Sequence, residues 1–307
     1  MVQPKASRTV LTSIIIPTFQ ETSDQLRRCL TSIDQQLGVD LTRYEILVIN
    51  DGQTRVPATL FREFTHLKLQ QHNYGDQQGA GVARQRGTDR ATGQYVIYMD
   101  ADDQLFSSWA LASFEAVVKQ ADHQIIIGEY LEQVGNPADE HYVKHRLDYK
   151  AAYAKWYRRD FLRQTGVVWH PNLKMYEDYY FVGLVCELAD DIYALKEVVY
   201  LWTNNPASTV RRDHHAVLRQ LATWVAANRY QLAVIKEKLP EWYHSTFCWY
   251  IAELALRMQV TQATDLDQAL AEQRQLLREN RAIWTELDGT VRFSHQQYVS
   301  LDLLVNV

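Results

Sequence analysis

Asp100, Ala101 and Asp102 close an apolar run, Tyr-Val-Ile-Tyr-Met at 95–99, and Asp103 follows at once. Along a strand, residues two apart point to one side, so the Asp100 and Asp102 carboxylates can aim at a common point. The carboxyl end of a buried strand is where open α/β sheets place ligands. Two hard oxygen donors suit Mg2+ or Mn2+, with water and phosphate oxygens filling the remaining positions. The plain alternative is a strand that ends in a solvated acidic turn, since such triplets are common by chance.

Three further groupings could act beside it. Asn50-Asp51-Gly52 ends another apolar run; these are ordinary turn formers, but Asp51 could also accept a hydrogen bond from a base N–H such as uracil N3. Gly79-Ala-Gly-Val-Ala-Arg84 opens a helix, and backbone N–H groups at a helix start favour anions, with Arg84 adding charge toward a diphosphate. The loop is neither a Walker A nor a GxGxxG motif. Glu177 and Asp178 begin a later helix; acids there suit the helix dipole whatever else they do, and one of them could be a general base.

The elements that must hold these groups alternate between strand and helix over the first 130 residues or so, the pattern of a mostly parallel sheet flanked by helices. Strands are expected at 10–16, stopped by Pro17, and at 44–49, 67–71, 95–99 and 124–130. Helices are expected from Thr22 or Ser23 to about Gly38, over 76–91 and over 107–120. The polar stretch 133–148 reads as an exposed connection, 156–166 as helical and 177–188 as a helix. Two short strands are expected at 192–195 and 198–202. From His214 onward no strand signal is convincing, and amphipathic spacing predicts about three helices.

The 307 residues are 47% hydrophobic and 22% charged, an ordinary soluble composition, and the net charge of −5 with scattered basic residues argues against nucleic acid. The start lacks a secretory pattern, and the stretch 247–260 is too short and too polar to span a bilayer. Cys29, Cys186 and Cys248 lie far apart without CxxC spacing and suit reduced thiols. These features lead us to expect a cytoplasmic protein, peripheral to the inner face of the membrane if it meets one, with no membrane span.

Taken in order, Ser13-Ile-Ile-Ile-Pro-Thr-Phe-Gln-Glu21, Leu47-Val-Ile-Asn-Asp-Gly52, His72-Asn73 with Gly79 to Arg84, Gly93 to Asp103, Tyr157 to Leu162 and Glu177-Asp178 resemble the inverting, bacterial-type family-two glycosyltransferases with the GT-A fold. The resemblance covers about residues 10–212. It implies an α/β fold of the nucleotide-diphospho-sugar transferase kind: a catalytic domain at 1–212, with a nucleotide half at 10–103 and an acceptor half at 104–212, and a helical C-terminal region at 213–307. It places Pro17, Thr18, Glu21 and Asp51 around the nucleotide, Arg84 near the diphosphate, and Asp100 and Ala101 by the ribose or donor sugar. Asp102, with Asp100, would hold Mn2+ or Mg2+, with His214 a candidate third ligand. Asp178 would be the catalytic base, with Glu177 beside it toward the acceptor, and Arg211 and Arg212 would close over the diphosphate.

The reaction so implied moves a single sugar, from a UDP-sugar by preference, to a hydroxyl of a glycan, lipid-linked or protein acceptor. Asn50, Gln53 and Gln20 depart from the family pattern, which bears on the identity of the base. No Gln-x-x-Arg-Trp segment follows Asp178, which favours single transfer over polymerisation. Trp169 and Trp202 could stack on an acceptor sugar or belong to the core. The aromatic stripe Trp242, Trp249 and Tyr250 is expected to pack between helices, leaving a homodimer through the C-terminal helices open. The rivals are a sugar nucleotidyltransferase, which would want a basic glycine-rich loop where Pro17 to Glu21 stand, and an inactive nucleotide-sugar-binding module.

Overall fold

A computed structural model describes residues 9–135, 139–205, 221–260, 266–285, 290–292 and 298–300. The chain forms two compact units. One comprises Met1–Lys174 and Phe181–Asn205; the other takes Met175–Tyr180 with the described residues beyond Pro206.

In the first unit, β1 (Thr12–Thr18) and β2 (Tyr44–Asn50) are buried along their whole length, as continuous apolar runs are when both faces of a parallel sheet are covered. With β3 (Lys68–Asn73) and β4 (Tyr95–Tyr98) they make a parallel set in the order β3-β2-β1-β4. α1 (Ser23–Asp34) follows β1. A capping box starts it, in which Thr22 Oγ1 accepts from Gln25 N and Gln25 Oε1 accepts from Thr22 N. Its stripe Leu26, Cys29, Leu30 and Ile33 enters the core. A short α2 (Ala58–Phe61) precedes β3, and α3 (Ala80–Arg90) carries the chain from β3 to β4.

Beyond β4 come β5 (Gln104–Leu105), α4 (Ala110–Val118), β6 (Ile125–Val134), β7 (His141–His145), β8 (Lys155–Arg158), α5 (Arg159–Thr165), α6 (Glu177–Glu187) and β9 (Ile192–Trp202). The sheet continues β4-β8-β6-β9-β5, with β7 added to β6. β6 and β9 are parallel, whereas β8 is antiparallel to both β4 and β6, and β7 and β5 are antiparallel to their neighbours. The expected α/β fold is present; the sheet is mixed, its parallel β3-β2-β1-β4 set continued by antiparallel pairings of β8, β7 and β5.

Several expectations need correction. The stretch 133–148 is not a bare connection: His141–His145 pairs with β6 as a hairpin arm. The span 156–166 begins as β8, whose Trp156 and Tyr157 are fully buried between β4 and β6. A strand buried on both faces shows no alternation and is hard to tell from helix. The two short strands after 191 are one, β9, and α3 starts at Ala80 rather than Asp76.

In the second unit, α7 (Leu221–Lys238) packs on α8 (Pro240–Val260) and α9 (Leu266–Glu279), with a short α10 (Arg281–Thr285) after them. Trp224 stacks on Tyr250 at 5.3 Å, and Tyr243 OH donates to Asn280 Oδ1 at 2.6 Å. An antiparallel pair, β10 (Thr290–Arg292) with β11 (Tyr298–Ser300), contradicts the all-helical expectation. Of the aromatic stripe, only Tyr250 packs inside; Trp242 and Trp249 are 54% and 48% exposed. No described helix is long and apolar enough to cross a membrane. None of the three cysteines is in a disulfide; Cys29 and Cys186 are buried.

Candidate active site

Sheet topology opens a crevice at the carboxyl ends of β1, β2 and β4. Pairing of β1 with β4 stops at Ile15–Tyr98, while pairing with β2 continues to Thr18–Asn50. Pro17, which has no N–H, falls in the stretch without a β4 partner. The chain leaves β3 and returns as β4 on the other side of β1, which makes this a topological switch point, the usual ligand crevice of an open sheet.

The β2 side of the crevice is a tightly bonded turn. Asn50 Oδ1 accepts from Gly52 N at 3.1 Å, and its Nδ2 donates to Thr54 O and Asn73 Oδ1, both at 3.0 Å. An aspartate in its place would lack those two donors. Gly52 must be glycine, because a Cβ there would run into Phe19 O. Asp51 is 3% exposed, and its oxygens accept from Gln78 N at 3.1 Å and Gly79 N at 2.7 Å. Its carboxylate thus pins the loop that leads into α3, with Gln77 and Gly79 at positive φ. Arg86 braces the same loop: its fork grips Asp76, whose carboxyl is pushed down to about 2 by those hydrogen bonds, and its guanidinium lies 3.9 Å from the Tyr74 ring centroid.

The β4 side carries the acids. Asp100 and Arg84 form an ion pair at 2.8 Å, in which the arginine side chain is 4% exposed and the aspartate 29%. Arg84 is therefore turned inward against Asp100. Ala101 is buried. Asp102 Oδ2 accepts from Asn205 Nδ2 at 2.7 Å. Asp103 is buried, with Tyr200 OH donating to Oδ2 and Thr203 N to Oδ1, both at 2.8 Å. The same phenol oxygen accepts from Asp100 N at 3.1 Å. Burial, then the charges of Asp100 and Asp102, raise the Asp103 carboxyl well above the carboxylate range, against the pull of its two donors.

Glu21 belongs to this group. Its Oε2 accepts from Phe19 N at 2.7 Å, and burial, with lesser contributions from Asp102 and Asp100, raises its carboxyl. Glu21 and Asp103 thus both feel the charges of Asp100 and Asp102. Among the described residues no three His, Cys, Asp or Glu side chains form a ready metal cage; carboxylate oxygens are nonetheless the hard donors that Mg2+ or Mn2+ takes beside phosphate oxygens and water.

Of the other expected site residues, Pro17 and Thr18 line the carboxyl end of β1, where Thr18 O accepts from Asp51 N at 2.8 Å. Glu177 and Asp178 occupy the first turn of α6, in the second unit. Arg211, Arg212 and His214 lie outside the described residues. Trp169 is a core residue, 1% exposed, with Arg84 over its ring at 4.9 Å. Tyr200 went unnoticed in the sequence, although a tyrosine inside a buried strand needs a partner for its hydroxyl.

A family model described as Glycosyl transferase family 2 matches residues 13–183. Uncharacterized glycosyltransferase YibD of Escherichia coli (strain K12) is 37% identical over 99 residues, 31% of this chain and 26% of that protein. Poly(ribitol-phosphate) beta-N-acetylglucosaminyltransferase TarP of Staphylococcus aureus (strain N315) is 24% identical over 186 residues, 55% of each. The matches thus span about a quarter and about half of those relatives. Among solved structures, S. aureus TarS in complex with UDP-GlcNAc superposes with a TM-score of 0.69 at 17% identity, covering 91% of this chain and 85% of that one. Mannosyltransferase PcManGT from Pyrobaculum calidifontis, in complex with GDP-Man and Mn2+, gives 0.52 at 17% identity, covering 92% and 84%. At these identities the structures share the fold.

Proposed function

The chain belongs to glycosyl transferase family 2 and is a glycosyltransferase, and from that premise we propose that residues 1–212 move one sugar from a nucleotide-diphosphate sugar to a hydroxyl, with inversion. The observation that carries the proposal is the carboxylate cluster at the switch-point crevice, where the charges of Asp100 and Asp102 help raise both Glu21 and Asp103. A cation bound there would relieve the part of that repulsion which Arg84 and the neighbouring hydrogen-bond donors leave.

A UDP-sugar is the favoured donor. The UDP-GlcNAc complex of TarS supports this, and the GDP-Man complex of PcManGT marks the alternative. Pro17, Thr18, Glu21 and Asp51 would line the nucleoside, Asp51 using acceptor capacity beyond its two backbone bonds. Bound Mn2+ or Mg2+, held by Asp102 with Asp100 and with His214 as a candidate third ligand, would supply positive charge to the leaving diphosphate. Arg211 and Arg212 would add to that charge. The acceptor is a hydroxyl of a glycan, lipid-linked or protein molecule. As its oxygen bonds to the anomeric carbon, its proton passes to the Asp178 carboxylate. The bond to the diphosphate breaks and its electron pair stays on the phosphate oxygen. Glu177 would orient the acceptor beside that base.

The protein is proposed to work in the cytoplasm, at the membrane's inner face if its acceptor is lipid-linked. A homodimer would join through α8, where Trp242 and Trp249 stand exposed. In that case sedimentation of the Trp242→Ser/Trp249→Ser variant should give monomer where the parent gives dimer.

The decisive experiment is Asp102→Ala with donor and acceptor panels under Mn2+, Mg2+ and excess chelator. Transfer should vanish in the variant and in chelator. Native turnover in either would overturn the metal-assisted reading.

A further inference from the structure

Trp169 is held from several sides. Its indole stacks on Phe181 with centroids 4.1 Å apart and planes at 14°, and Tyr98 meets it edge-on at 5.1 Å. Its backbone N–H donates to Gln85 Oε1 at 3.0 Å, fastening this segment to α3. The Arg84 guanidinium lies over this fixed ring, 4.9 Å from its centroid. Arg84 in turn bonds Asp100 Oδ1 at 2.8 Å.

A long arginine side chain has many rotamers, and each contact that fixes its guanidinium narrows them. The electron-rich indole face attracts a desolvated cation and supplies one such contact, on a ring that is itself held in place. Asp100 is the end of the chain of contacts that reaches the crevice, since its side chain keeps 29% of its surface while Arg84 keeps 4%. Trp169 itself is 1% exposed.

We infer that Trp169 is a positioning residue for the acidic turn: its indole face helps hold Arg84 in the orientation that bonds the Asp100 carboxylate. This rests on reading Asp100 and Asp102 as the metal and diphosphate site. It also ties the 166–170 segment to the donor side, so that movement of this segment is felt at Asp100.

The test compares Trp169→Leu, Trp169→Phe, Arg84→Met and the Trp169→Leu/Arg84→Met double variant. Mn2+ affinity is read by electron paramagnetic resonance in the presence of UDP, and melting is recorded alongside. Trp169→Leu and Arg84→Met should each weaken Mn2+ binding about tenfold, and the double variant no more than about twofold beyond Arg84→Met, because the indole acts only through the guanidinium. Trp169→Phe, which keeps an aromatic face, should recover most of the loss. Multiplied effects in the double variant, or unchanged affinity in Trp169→Leu, would overturn the inference. Should Trp169→Leu not fold, Trp169→Met, which fills the site without an aromatic face, takes its place against Arg84→Met. If the parent protein binds neither Mn2+ nor UDP, the functional reading fails by itself. A crystal structure of Trp169→Leu, or of Trp169→Met where that is the variant that folds, then decides the inference separately: Arg84 turned away from Asp100 upholds it, and the pair intact overturns it.

Discussion

Asp51 separates two roles that a single substitution can resolve. Both carboxylate oxygens accept backbone N–H bonds, from Gln78 at 3.1 Å and Gly79 at 2.7 Å, and the side chain is almost wholly buried. Asp51→Asn keeps the shape but turns one acceptor into a donor that faces an N–H. One charge-assisted bond is lost, worth about 1.5–3 kcal/mol, and a buried donor is left without a partner at about 1–3 kcal/mol. The surviving bond becomes a neutral one. Some relaxation of the 75–79 loop is certain, so we expect a loss of about 2–4 kcal/mol rather than the full sum. Urea unfolding of the ligand-free protein measures it, as a lower midpoint at unchanged slope. Native-state hydrogen exchange should add a local signature, with the Gln78 and Gly79 amides exchanging faster than those of β1 and β2. If Asp51 served only to meet a nucleotide base, the ligand-free variant would unfold within about 0.5 kcal/mol of the parent, as unremarkable substitutions do. That result would refute the reasoning, whatever happened to donor binding.

Tyr200→Phe removes the hydroxyl that donates to buried Asp103 and accepts from part-buried Asp100 N; a loss of about 1–3 kcal/mol is expected, read by urea unfolding. Gly87→Ala on α3 would drive a Cβ into the Ile15 side chain, which is fully buried in β1. Overpacking at about 1–3 kcal/mol outweighs alanine's gain of about 1 kcal/mol in helix propensity, so the melting point should fall. Asp178→Asn should cut kcat by about 10²–10⁴-fold at saturating donor with donor binding nearly unchanged, and Glu177→Gln should cost less and act on acceptor KM. The reverse ranking would move the base by one residue.

How much of this could be read beforehand depended on the range of the interaction. The acidic turn was legible because an apolar strand, 95–99, leads into carboxylates two apart, and both facts are local. The ligand edge of the sheet was legible because the apolar runs 10–16 and 44–49 end abruptly at Pro17 and Asn50; the strand order that makes it a switch point was not, since pairing across β1 is long-range. Asp51 was readable as a turn residue, but its N–H partners depend on the backbone of Gln77 and Gly79, at φ 54° and 103°, which no pattern announces. Tyr200 reaches the acids from about a hundred residues away, so spacing could not pair it with them. β8 escaped notice because its Trp156 and Tyr157 are buried alike, erasing the period of two.

The acids also explain why the site draws on both ends of the first unit. Asp100, Asp102 and Asp103 come from the turn after β4, but apart from Arg84 the side-chain and N–H donors named for them come from the end of β9 and the residues just after it: Tyr200 OH, Thr203 N and Asn205 Nδ2. Three adjacent carboxylates repel one another, and water would ordinarily screen that repulsion. Here Asp103 is buried, so fixed donors must take the place of water. β5, directly after the acids, pairs with β9 at Gln104–Leu201 and Leu105–Tyr200, which sets the register that brings Tyr200 beneath the turn. The acidic turn therefore has its full set of donors only with β9 in the sheet. In the folded chain the repulsion among the three acids is met by Tyr200, Thr203 and Asn205, donors fixed by the β5–β9 register, rather than by water.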